Sequence, residues 1–412
     1  MSVLGRLVCV VVAMSTLSLG QAQYKVLWSF GSIANDGTNP VSNLTTDSAG
    51  NLYGTTAYGG SGLAGGESGL GGTVFELSPQ SDGTWSETIL YNFCSLTGCA
   101  DGQTPMAGLV LDAEGNLYGT TQMGGIPCPR GGSCGVVFEL SPPLSSPAGT
   151  AWTENVLYNF CSLLQGNLCV DGDYPFSQLI FDTAGNLYGT TSAGGSSNGG
   201  GDAGVAFELS PRAKGWEYSV LYNFCSLGGE LTCPDGLDPR AGMAFDKVGN
   251  LYGTTKNGGR YKLGIVYELT PSSGGWSEKI LNSFYQLGNS EAPVSFDSFG
   301  NLYGTTLYYA FQLNGKTHTQ GARPFTNSTG ESFGGVLVDA SRNALFGTGQ
   351  GGIWEVNPAR QLETIYSFCS QPSCADGTDA EAGLVEDTSG NLYGTTKSGG
   401  TANNGVVFEI TP

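Results

Sequence analysis

The stretch GNLYGTT, first read at residues 50–56, decides the fold of this chain because it recurs along the sequence. Further intact copies begin at Gly115, Gly185, Gly249, Gly300 and Gly390. A degenerate copy, NALFGT at residues 343–348, fills the one gap, so that the chain of 412 residues contains seven units. Self-similarity at a period of tens of residues indicates one supersecondary unit that is repeated along the chain.

Each unit carries four short apolar segments, as the second unit shows. They are residues 106–112 (MAGLVLD), 116–121 (NLYGTT), 135–140 (GVVFEL) and 152–160 (WTENVLYNF). Segments of this kind, rich in Val, Leu, Phe, Tyr and Thr and separated by Gly, Asp, Asn, Ser or Pro, are typical of β-strands joined by turns. No segment has the 3.6-residue period of a helix, so we expect little helix.

The fourth segment of the last unit is missing after residues 407–410 (VFEI) and is found instead at residues 26–30 (VLWSF). This displacement predicts that residues 24–30 pair beside residues 406–410 and close a ring. We therefore predict an all-β fold: a seven-bladed β-propeller of four-stranded blades, closed by the N-terminal strand joining the C-terminal blade. An array of β-sandwiches or a linear solenoid is the alternative. The fourth strand of the fifth unit is expected within residues 316–325.

The first 22 residues are predicted to be a signal peptide rather than part of the fold. Arg6 precedes an apolar stretch at residues 7–19 that is too short to span a bilayer comfortably, and small residues follow up to Ala22. We expect cleavage after Ala22 and a mature propeller of residues 23–412, with a membrane anchor as the alternative. No later stretch is long and apolar enough for a membrane span, so we expect a secreted, periplasmic or cell-surface protein.

Beyond the signal peptide, ten cysteines form five close pairs in the sequence. The pairs are Cys94/Cys99, Cys128/Cys134, Cys161/Cys169, Cys225/Cys233 and Cys369/Cys374. An even number of cysteines in an exported chain predicts disulfides. Zinc binding is the alternative, but the pairs are spaced more widely than Cys-x2-Cys and lack the histidines that often join such sites.

The charge balance limits the classes of partner that the protein is expected to bind. The net charge is −19, yet only 12% of the residues are charged, because Lys and Arg are scarce. A nucleic-acid partner needs a basic stripe, and docking on anionic lipid needs basic clusters. We therefore expect neither partner, and we expect a monomer whose acidic surface keeps it soluble.

The tandem copies of GNLYGTT-x-x-GG, followed by G-x-VFEL-x-P, resemble the Gloeobacter/Verrucomicrobia-type ("GloVer") repeat of exported bacterial proteins. The resemblance covers nearly all of the mature chain and is weak from about residue 307 to residue 352. It implies a secreted or surface repeat protein and brings no established activity, so no catalytic residue is carried over. The Asp-x-x-Gly-Asn-Leu-Tyr turn is also similar to NHL-type propeller repeats, which implies the same fold.

Propeller connectivity places two sets of loops on one face, which we call the loop face. The 2–3 loops join the second and third strands of a blade, and the 4–1 loops join the fourth strand to the first strand of the next blade. Loops on a rigid scaffold commonly form binding sites. Candidate binding residues on this face are Asp36, Asp101, Asp171, Asp235, Asp376, Tyr58 and Tyr174.

These five Asp residues have an alternative interpretation, because each is followed by Gly and Asp-Gly commonly forms turns. Their spacing gives only weak support for Ca²⁺, which needs six to eight oxygen ligands, so we expect no cofactor and no metal. The Glu that recurs in the third strand is expected to accept structural hydrogen bonds. The Trp that recurs in the fourth strand is expected to pack between blades.

His318 is the only histidine, which argues against Ser-His-Asp or Cys-His catalysis and against a His-ligated metal. We predict a secreted, non-catalytic propeller that binds a glycan or a protein through the loop face. One alternative is a carbohydrate-active enzyme, a glycosidase or polysaccharide lyase that uses acidic and Tyr residues. The other alternative is a structural component of the envelope or matrix.

Overall fold

A computed structural model describes residues 22–61, 71–129, 131–143, 151–196, 202–228, 233–285, 288–315, 323–324 and 334–412. In this part of the chain, seven antiparallel sheets form the blades of a propeller with four strands in each blade, as predicted, and in blade 3 the loop strand Asp173–Pro175 adds a fifth strand to the sheet. The helical residues described are two 3₁₀ turns, Thr97–Cys99 and Pro372–Cys374. The described helices include none that is long and apolar enough to cross a membrane. The predicted signal peptide, apart from Ala22, and His318 lie outside the described residues.

The strands follow the repeat in a constant order. The first strands of blades 1 to 7 are Thr45–Thr46, Val110–Leu111, Ile180–Phe181, Ala244–Phe245, Ser295–Phe296, Leu337–Asp339 and Val385–Glu386. The second strands are Leu52–Thr56, Leu117–Thr121, Leu187–Ala193, Leu251–Thr254, Leu302–Thr305, Ala344–Gly349 and Leu392–Thr396. The third strands are Thr73–Pro79, Val136–Ser141, Val205–Arg212, Ile265–Ser272, Ala310–Leu313, Gly352–Val356 and Val406–Thr411.

The fourth strands are Trp85–Asn92, Thr153–Asn159, Gly215–Asn223, Gly275–Ser283, Arg323–Pro324, Leu362–Ser367 and Gln23–Ser29. Arg323–Pro324 lies within the range expected for the fifth blade. Short strands in the loops are Gly37–Thr38, Tyr58–Gly59, Leu164–Gln165, Leu168–Cys169 and Asp173–Pro175.

The N-terminal strand closes the ring as predicted. Gln23–Ser29 pairs antiparallel with Val406–Thr411, with Tyr24 opposite Ile410. The Tyr24 ring also stacks on the Tyr366 ring of blade 6, with 3.8 Å between the ring centroids. The strand therefore joins blade 7 by backbone hydrogen bonds and blade 6 by side-chain packing, and it covers the sheet edge that blade 7 would otherwise expose.

The Gly in the centre of GNLYGTT makes room for the aromatic ring of the third strand. A Cβ at Gly189 would lie 2.6 Å from the Phe207 ring, and Gly119 stands in the same relation to Phe138. Both aromatic rings are fully buried. The repeat thus needs Gly here for close packing rather than for an unusual backbone angle.

The first Thr of GNLYGTT joins each blade to the next. Its hydroxyl donates to a backbone carbonyl at the entrance of the following first strand. The donor and acceptor residues are Thr55/Ala107, Thr120/Ser177, Thr190/Ala241, Thr254/Ala292, Thr305/Gly334, Thr348/Ala382 and Thr395/Ser42. Because Thr395 reaches Ser42, these hydrogen bonds run round the whole ring.

Candidate functional site

The loop face is a single connected surface because the 2–3 and 4–1 loops pair with each other. Gly37–Thr38 pairs with Tyr58–Gly59, and Asp173–Pro175 pairs with Leu187–Ala193. Single bridges join Leu237 to Asn257 and Thr378 to Ser398. The loops are therefore held by backbone hydrogen bonds, as a preorganised binding surface requires.

The candidate Asp residues of the 4–1 loops are buried and hold their own loops closed. The Asp101 carboxylate accepts hydrogen bonds from the Ser95 and Leu96 amides and from the Tyr91 hydroxyl. Asp36, Asp171, Asp235 and Asp376 accept equivalent bonds within their loops. These contacts favour turn formation, and direct contact of these acids with a ligand stays a prediction.

The surroundings of these carboxylates differ in their effect on ionisation. Burial raises the pKa of Asp171 above its usual range, although the Tyr158 hydroxyl donates to it. At Asp376, the hydrogen bonds from Tyr366 and Ser370 outweigh burial and lower the pKa of the carboxyl.

Four of the five Asp residues are fully buried, and Asp36 is 6% exposed. The two candidate aromatic residues are more accessible: Tyr58 is 38% exposed, and Tyr174 is half-buried.

The five predicted disulfides are present and stiffen the loop face. They are Cys94–Cys99, Cys128–Cys134, Cys161–Cys169, Cys225–Cys233 and Cys369–Cys374. Four of them close 4–1 loops, and Cys128–Cys134 closes the 2–3 loop of blade 2. That bridge lies against Cys161–Cys169, with 3.9 Å between the sulfurs of Cys134 and Cys169. The four sulfurs lie within 4.8 Å of one another, so two neighbouring loops are packed together through their disulfides.

At Cys233 the predicted disulfide is confirmed, and the backbone of the same residue makes a further contact between loops. Cys233 does bond to Cys225, although residues 229–232 of the loop between them lie outside the described residues. Its backbone has a positive φ of 36°, which the sequence does not predict for a cysteine. The Cys233 carbonyl accepts from the Gly236 amide at 2.9 Å and from the Gly259 amide of the 2–3 loop at 2.8 Å. Cys233 therefore also joins the 4–1 loop to the 2–3 loop through its backbone.

A ring of unlike side chains surrounds the mouth of the central channel on the loop face. This ring position lies three residues before the Leu or its equivalent that precedes each first strand. In blades 1 to 5 and 7 it carries Val41, Met106, Phe176, Arg240, Glu291 and Glu381. The equivalent residue of blade 6 lies outside the described residues. The ring borders a cavity of about 190 Å³. The repeat preserves the residues that build the blades, whereas this position carries five different residue types in six blades.

Lysines of the 2–3 loops pair with the acids of this ring. Lys256 Nζ lies 2.7 Å from Glu291 Oε1, and Lys397 Nζ lies 3.0 Å from Glu381 Oε1. Arg240 contacts Asp238 at 2.9 Å and Glu291 at 3.5 Å. Its guanidinium also lies over the Phe176 ring, 4.9 Å from the centroid. The mouth thus presents charged donors and acceptors beside an aromatic ring, a combination that suits polar ligands with an apolar face.

Two amide side chains in the lining of the cavity bond to each other. Two residues after the ring position, further into the channel, the blades carry Asn43, Gly108, Gln178, Gly242, Pro293, Gly335 and Gly383. Asn43 Nδ2 donates to Gln178 Oε1 at 3.0 Å across the channel, and Asn43 Oδ1 accepts from the Gly383 amide at 2.6 Å. The small residues leave space for these two amides, which line the cavity together. Neither amide was singled out from the sequence, because single differences within a repeat do not show which side chains meet on the axis.

The turns on the opposite face are built for structure. Asp112 accepts from Asn116 and from the Tyr118 hydroxyl, which also donates to Glu139 of the third strand at 2.9 Å. The same Tyr–Glu bond joins Tyr252 to Glu268 and Tyr393 to Glu409. The recurring Glu is therefore a structural acceptor, as expected from the sequence.

Solved structures of other propeller-like proteins resemble this chain at low identity. The extracellular domain of the hybrid two-component system BT3049 from B. thetaiotaomicron has a TM-score of 0.54 and 15% identity; the match covers 94% of this chain and 41% of that one. A gluconolactonase from Xanthomonas campestris has a TM-score of 0.44 and 10% identity, over 95% of this chain and 90% of that one. A chain of a nidogen/laminin complex has a TM-score of 0.42 and 14% identity, over 71% and 89%.

These likenesses concern the fold alone, because all identities are low. No curated protein matches the sequence. The profile of the Gloeobacter/Verrucomicrobia repeat matches residues 13–201 and 170–316. These ranges overlap and together include most of the chain and the first five copies of GNLYGTT. The chain therefore belongs to the Gloeobacter/Verrucomicrobia repeat family.

Proposed function

We propose that this protein is an exported, non-catalytic propeller that binds a glycan at the mouth of its channel on the loop face. The observation that carries the proposal is the ring position occupied by Val41, Met106, Phe176, Arg240, Glu291 and Glu381. This position varies within an otherwise repeated chain, so it is free of the packing that repeats elsewhere. Here it borders a cavity that is also lined by Asn43 and Gln178.

The size and chemistry of the mouth favour a sugar. A cavity of about 190 Å³ is of the size that accepts one sugar ring of a longer chain, and the ion pairs around it offer hydrogen-bond donors and acceptors to hydroxyl groups. Phe176 supplies an apolar surface, and the exposed Tyr58 lies on the same face. The loop acids support the site by holding the 4–1 loops, and the disulfides reduce the entropy lost when those loops bind. Five disulfides also suit an oxidising compartment.

The test is binding of the mature protein to a glycan array, followed by calorimetry with the best ligand. Arg240→Ala removes a donor at the mouth and should weaken binding by about tenfold or more, which corresponds to about 1.4 kcal/mol. Arg212→Ala is the matched control, because Arg212 is an exposed arginine that pairs with Glu217 on an outer hairpin. Equal affinity of both variants would place the ligand elsewhere.

A turnover assay distinguishes the enzyme alternative from the binding proposal. The mature protein is incubated with the polysaccharide that it binds, and soluble sugars or unsaturated products are measured. The proposal expects none above the background. Release that persists in the parent and is lost in Glu291→Gln or Glu381→Gln would show a carbohydrate-active enzyme instead.

A further inference from the structure

The 2–3 loops of four blades share one local structure. In each of them, the last glycine of the loop donates its amide to the carbonyl of the first glycine of the GG pair at 3.0 Å. The donor and acceptor residues are Gly135/Gly124, Gly204/Gly194, Gly264/Gly258 and Gly405/Gly399. The loops of blades 4 and 7, residues 256–264 and 397–405, also have the same length. These two loops are therefore two copies of one structure that carry different side chains.

One position of this loop, two residues before its last glycine, holds the loop through its side chain. In three blades this side chain accepts from the amide of the first glycine, at distances of 2.6, 3.0 and 3.1 Å. The donor and acceptor residues are Gly124/Ser133, Gly194/Asp202 and Gly399/Asn403. Blade 4 carries Lys262 at this position, and an ammonium group donates hydrogen bonds and cannot accept them. Lys262 therefore cannot make the bond that the other three blades use.

The backbone at Lys262 also disfavours a lysine. Its φ is 62°, close to the 58° of Asn403 and the 75° of Asp202. Positive φ is uncommon for residues other than glycine, and Asn and Asp adopt it most readily. Local structure therefore does not account for Lys262, and its exposed charge is the property that distinguishes it from its counterparts.

Basic residues of the loop face are concentrated in blade 4. The whole chain has 16 Lys and Arg against 35 Asp and Glu. The basic residues of the 2–3 and 4–1 loops are Arg130, Arg240, Lys256, Arg260, Lys262 and Lys397. Four of these six belong to the loops of blade 4, from residue 240 to residue 262. In the matched loop of blade 7, Thr401 and Asn403 stand where blade 4 carries Arg260 and Lys262.

We propose that Arg260 and Lys262 bind the carboxylate of an acidic sugar, so that the glycan at the mouth is an acidic polysaccharide that contains uronic acids. This inference rests on the proposed function. Lys256 pairs with Glu291 at the mouth, and Arg260 follows it four residues later in the same loop, at most about 14 Å away. One chain of a few sugars can therefore contact both the mouth and the two cations.

The side chains of this loop suit such a ligand. A guanidinium group offers two parallel donors that match the two oxygens of a carboxylate. The Arg260 guanidinium lies over the Tyr261 ring, 5.4 Å from the centroid. Tyr261 is 41% exposed, so its ring provides an apolar surface for a sugar ring beside the two cations.

The first experiment measures the binding of trigalacturonate and of its methyl ester to the mature protein by calorimetry. The two ligands have the same sugar rings, and the ester carries no charge. We expect the acid to bind about tenfold more tightly than the ester, as two exposed ion pairs allow. Salt screens exposed charges, so added NaCl should remove this preference. Equal affinities at low salt overturn the proposal.

A double variant assigns the preference to this loop. Arg260→Thr/Lys262→Asn introduces the residues of the matched blade 7 loop, so the backbone accommodates them. It should bind the ester like the parent and should bind the acid no more tightly than the ester. Arg212→Thr/Lys214→Asn removes the same two charges from a hairpin on the opposite face and should keep the preference. A preference that survives in the first variant, or that is lost in the second, overturns the assignment.

The single variant Lys262→Asn separates binding from a structural role. Asn restores the acceptor for the Gly258 amide and suits the positive φ, so the melting temperature should rise while the affinity for the acid falls. A Lys262→Asn protein that melts below the parent would show that Lys262 stabilises the loop, and this result would contradict the proposal.

Arg240→Ala distinguishes this inference from the glycan site on which it rests. The variant should weaken binding of the acid and of the ester by the same factor. Equal affinities for acid and ester that both depend on Arg240 would retain the glycan site and overturn the acidic ligand. A preference for the acid without any dependence on Arg240 would retain the two cations and overturn the site at the mouth. Tighter binding of a sulfated galactan trisaccharide than of trigalacturonate would assign sulfate and overturn the uronate.

Discussion

At the scale of single residues, the recurring Thr pair of GNLYGTT has two separate structural roles. The first Thr bonds to the next blade, as at Thr190 and Ala241. The second Thr donates to a carbonyl two residues onward, as Thr191 does to Ala193, and accepts from the Val205 amide of the third strand. All of these hydroxyls are buried, so each loss leaves a buried polar group without its partner.

Replacement of Thr190 by Val tests the bond between blades. Val has the shape of Thr and lacks the hydroxyl, so the Ala241 carbonyl loses a donor. We expect the free energy of unfolding to fall by about 1–2 kcal/mol in chemical denaturation. Thr190→Ser keeps the hydroxyl and should retain more of the stability. Equal stability of Thr190→Val and the parent would show that this hydrogen bond contributes nothing.

The neighbouring bridges Cys128–Cys134 and Cys161–Cys169 allow a test at the same scale. The four sulfurs lie close enough for the two bridges to exchange partners. Each native pair closes its own short loop, so we expect the five local pairings. Peptide mapping under non-reducing conditions, with free thiols alkylated beforehand, measures them. A peptide that joins Cys134 to Cys169, or a free thiol in the mature protein, would contradict this pairing.

At the scale of elements, each fourth strand packs against the 4–1 loop that precedes its blade. In the blades compared here, one repeated position of the fourth strand makes this contact. Tyr24 and Tyr218 occupy this position in blades 7 and 3 and donate to the backbone carbonyls of Asp376 and Asp171. Glu87, Glu154 and Glu278 occupy it in blades 1, 2 and 4. Burial, and next the nearby Asp carboxylate, raise the pKa of each of these three Glu residues to about 8. A Glu thus occupies the place of a Tyr between blades, where burial favours its protonated form.

This arrangement predicts how stability depends on pH. A pKa raised from 4.5 to about 8 on folding contributes stability that is fully present below pH 4.5 and is lost as pH rises to about 8. The Asp residues of the Asp-x-x-Gly-Asn turns affect stability in the opposite sense. Hydrogen bonds outweigh burial and lower the pKa of Asp182 and Asp246. Their contribution to the stability of the fold is therefore lost in stronger acid. Thermal melting should show greatest stability in mild acid and a decline toward pH 8.

Replacement of all three glutamates by Gln should flatten that decline, because Gln donates hydrogen bonds without ionising. The exposed Glu114→Gln serves as the control and should leave the profile unchanged. A triple variant whose melting temperature still falls between pH 5 and pH 8 as steeply as the parent's would refute the role of these glutamates.

At the scale of the whole molecule, the ring depends on a strand from each end of the described chain. Gln23–Ser29 supplies the fourth strand of blade 7, and the fully buried Phe30 packs edge-on against Phe75 of blade 1 at 5.1 Å. The N-terminal segment therefore contacts blades 6, 7 and 1. The hydrogen bond from Thr395 to Ser42 crosses the same closure.

Deletion of residues 23–31 should destabilise the propeller as a unit. The deletion opens a sheet edge on blade 7 and exposes the core around Phe75, so we expect one cooperative transition at a much lower temperature, or aggregation. Phe30→Ala is a milder test and should cost about 3–5 kcal/mol, as for other buried Phe residues. A truncated protein that melts within about 2 °C of the mature chain would show that closure is dispensable.

The sequence by itself determined the number of blades, the closing strand, the disulfide pairs and the loop face, because these follow from the order and spacing of the repeat. The tertiary structure decided which residues meet. It placed the candidate loop acids in buried turns, gave the Cys233 carbonyl its bond to the neighbouring loop, and brought Asn43 and Gln178 together across the axis. These features depend on contacts between loops and between blades, and contacts between residues distant in the chain leave no periodic signal in the sequence.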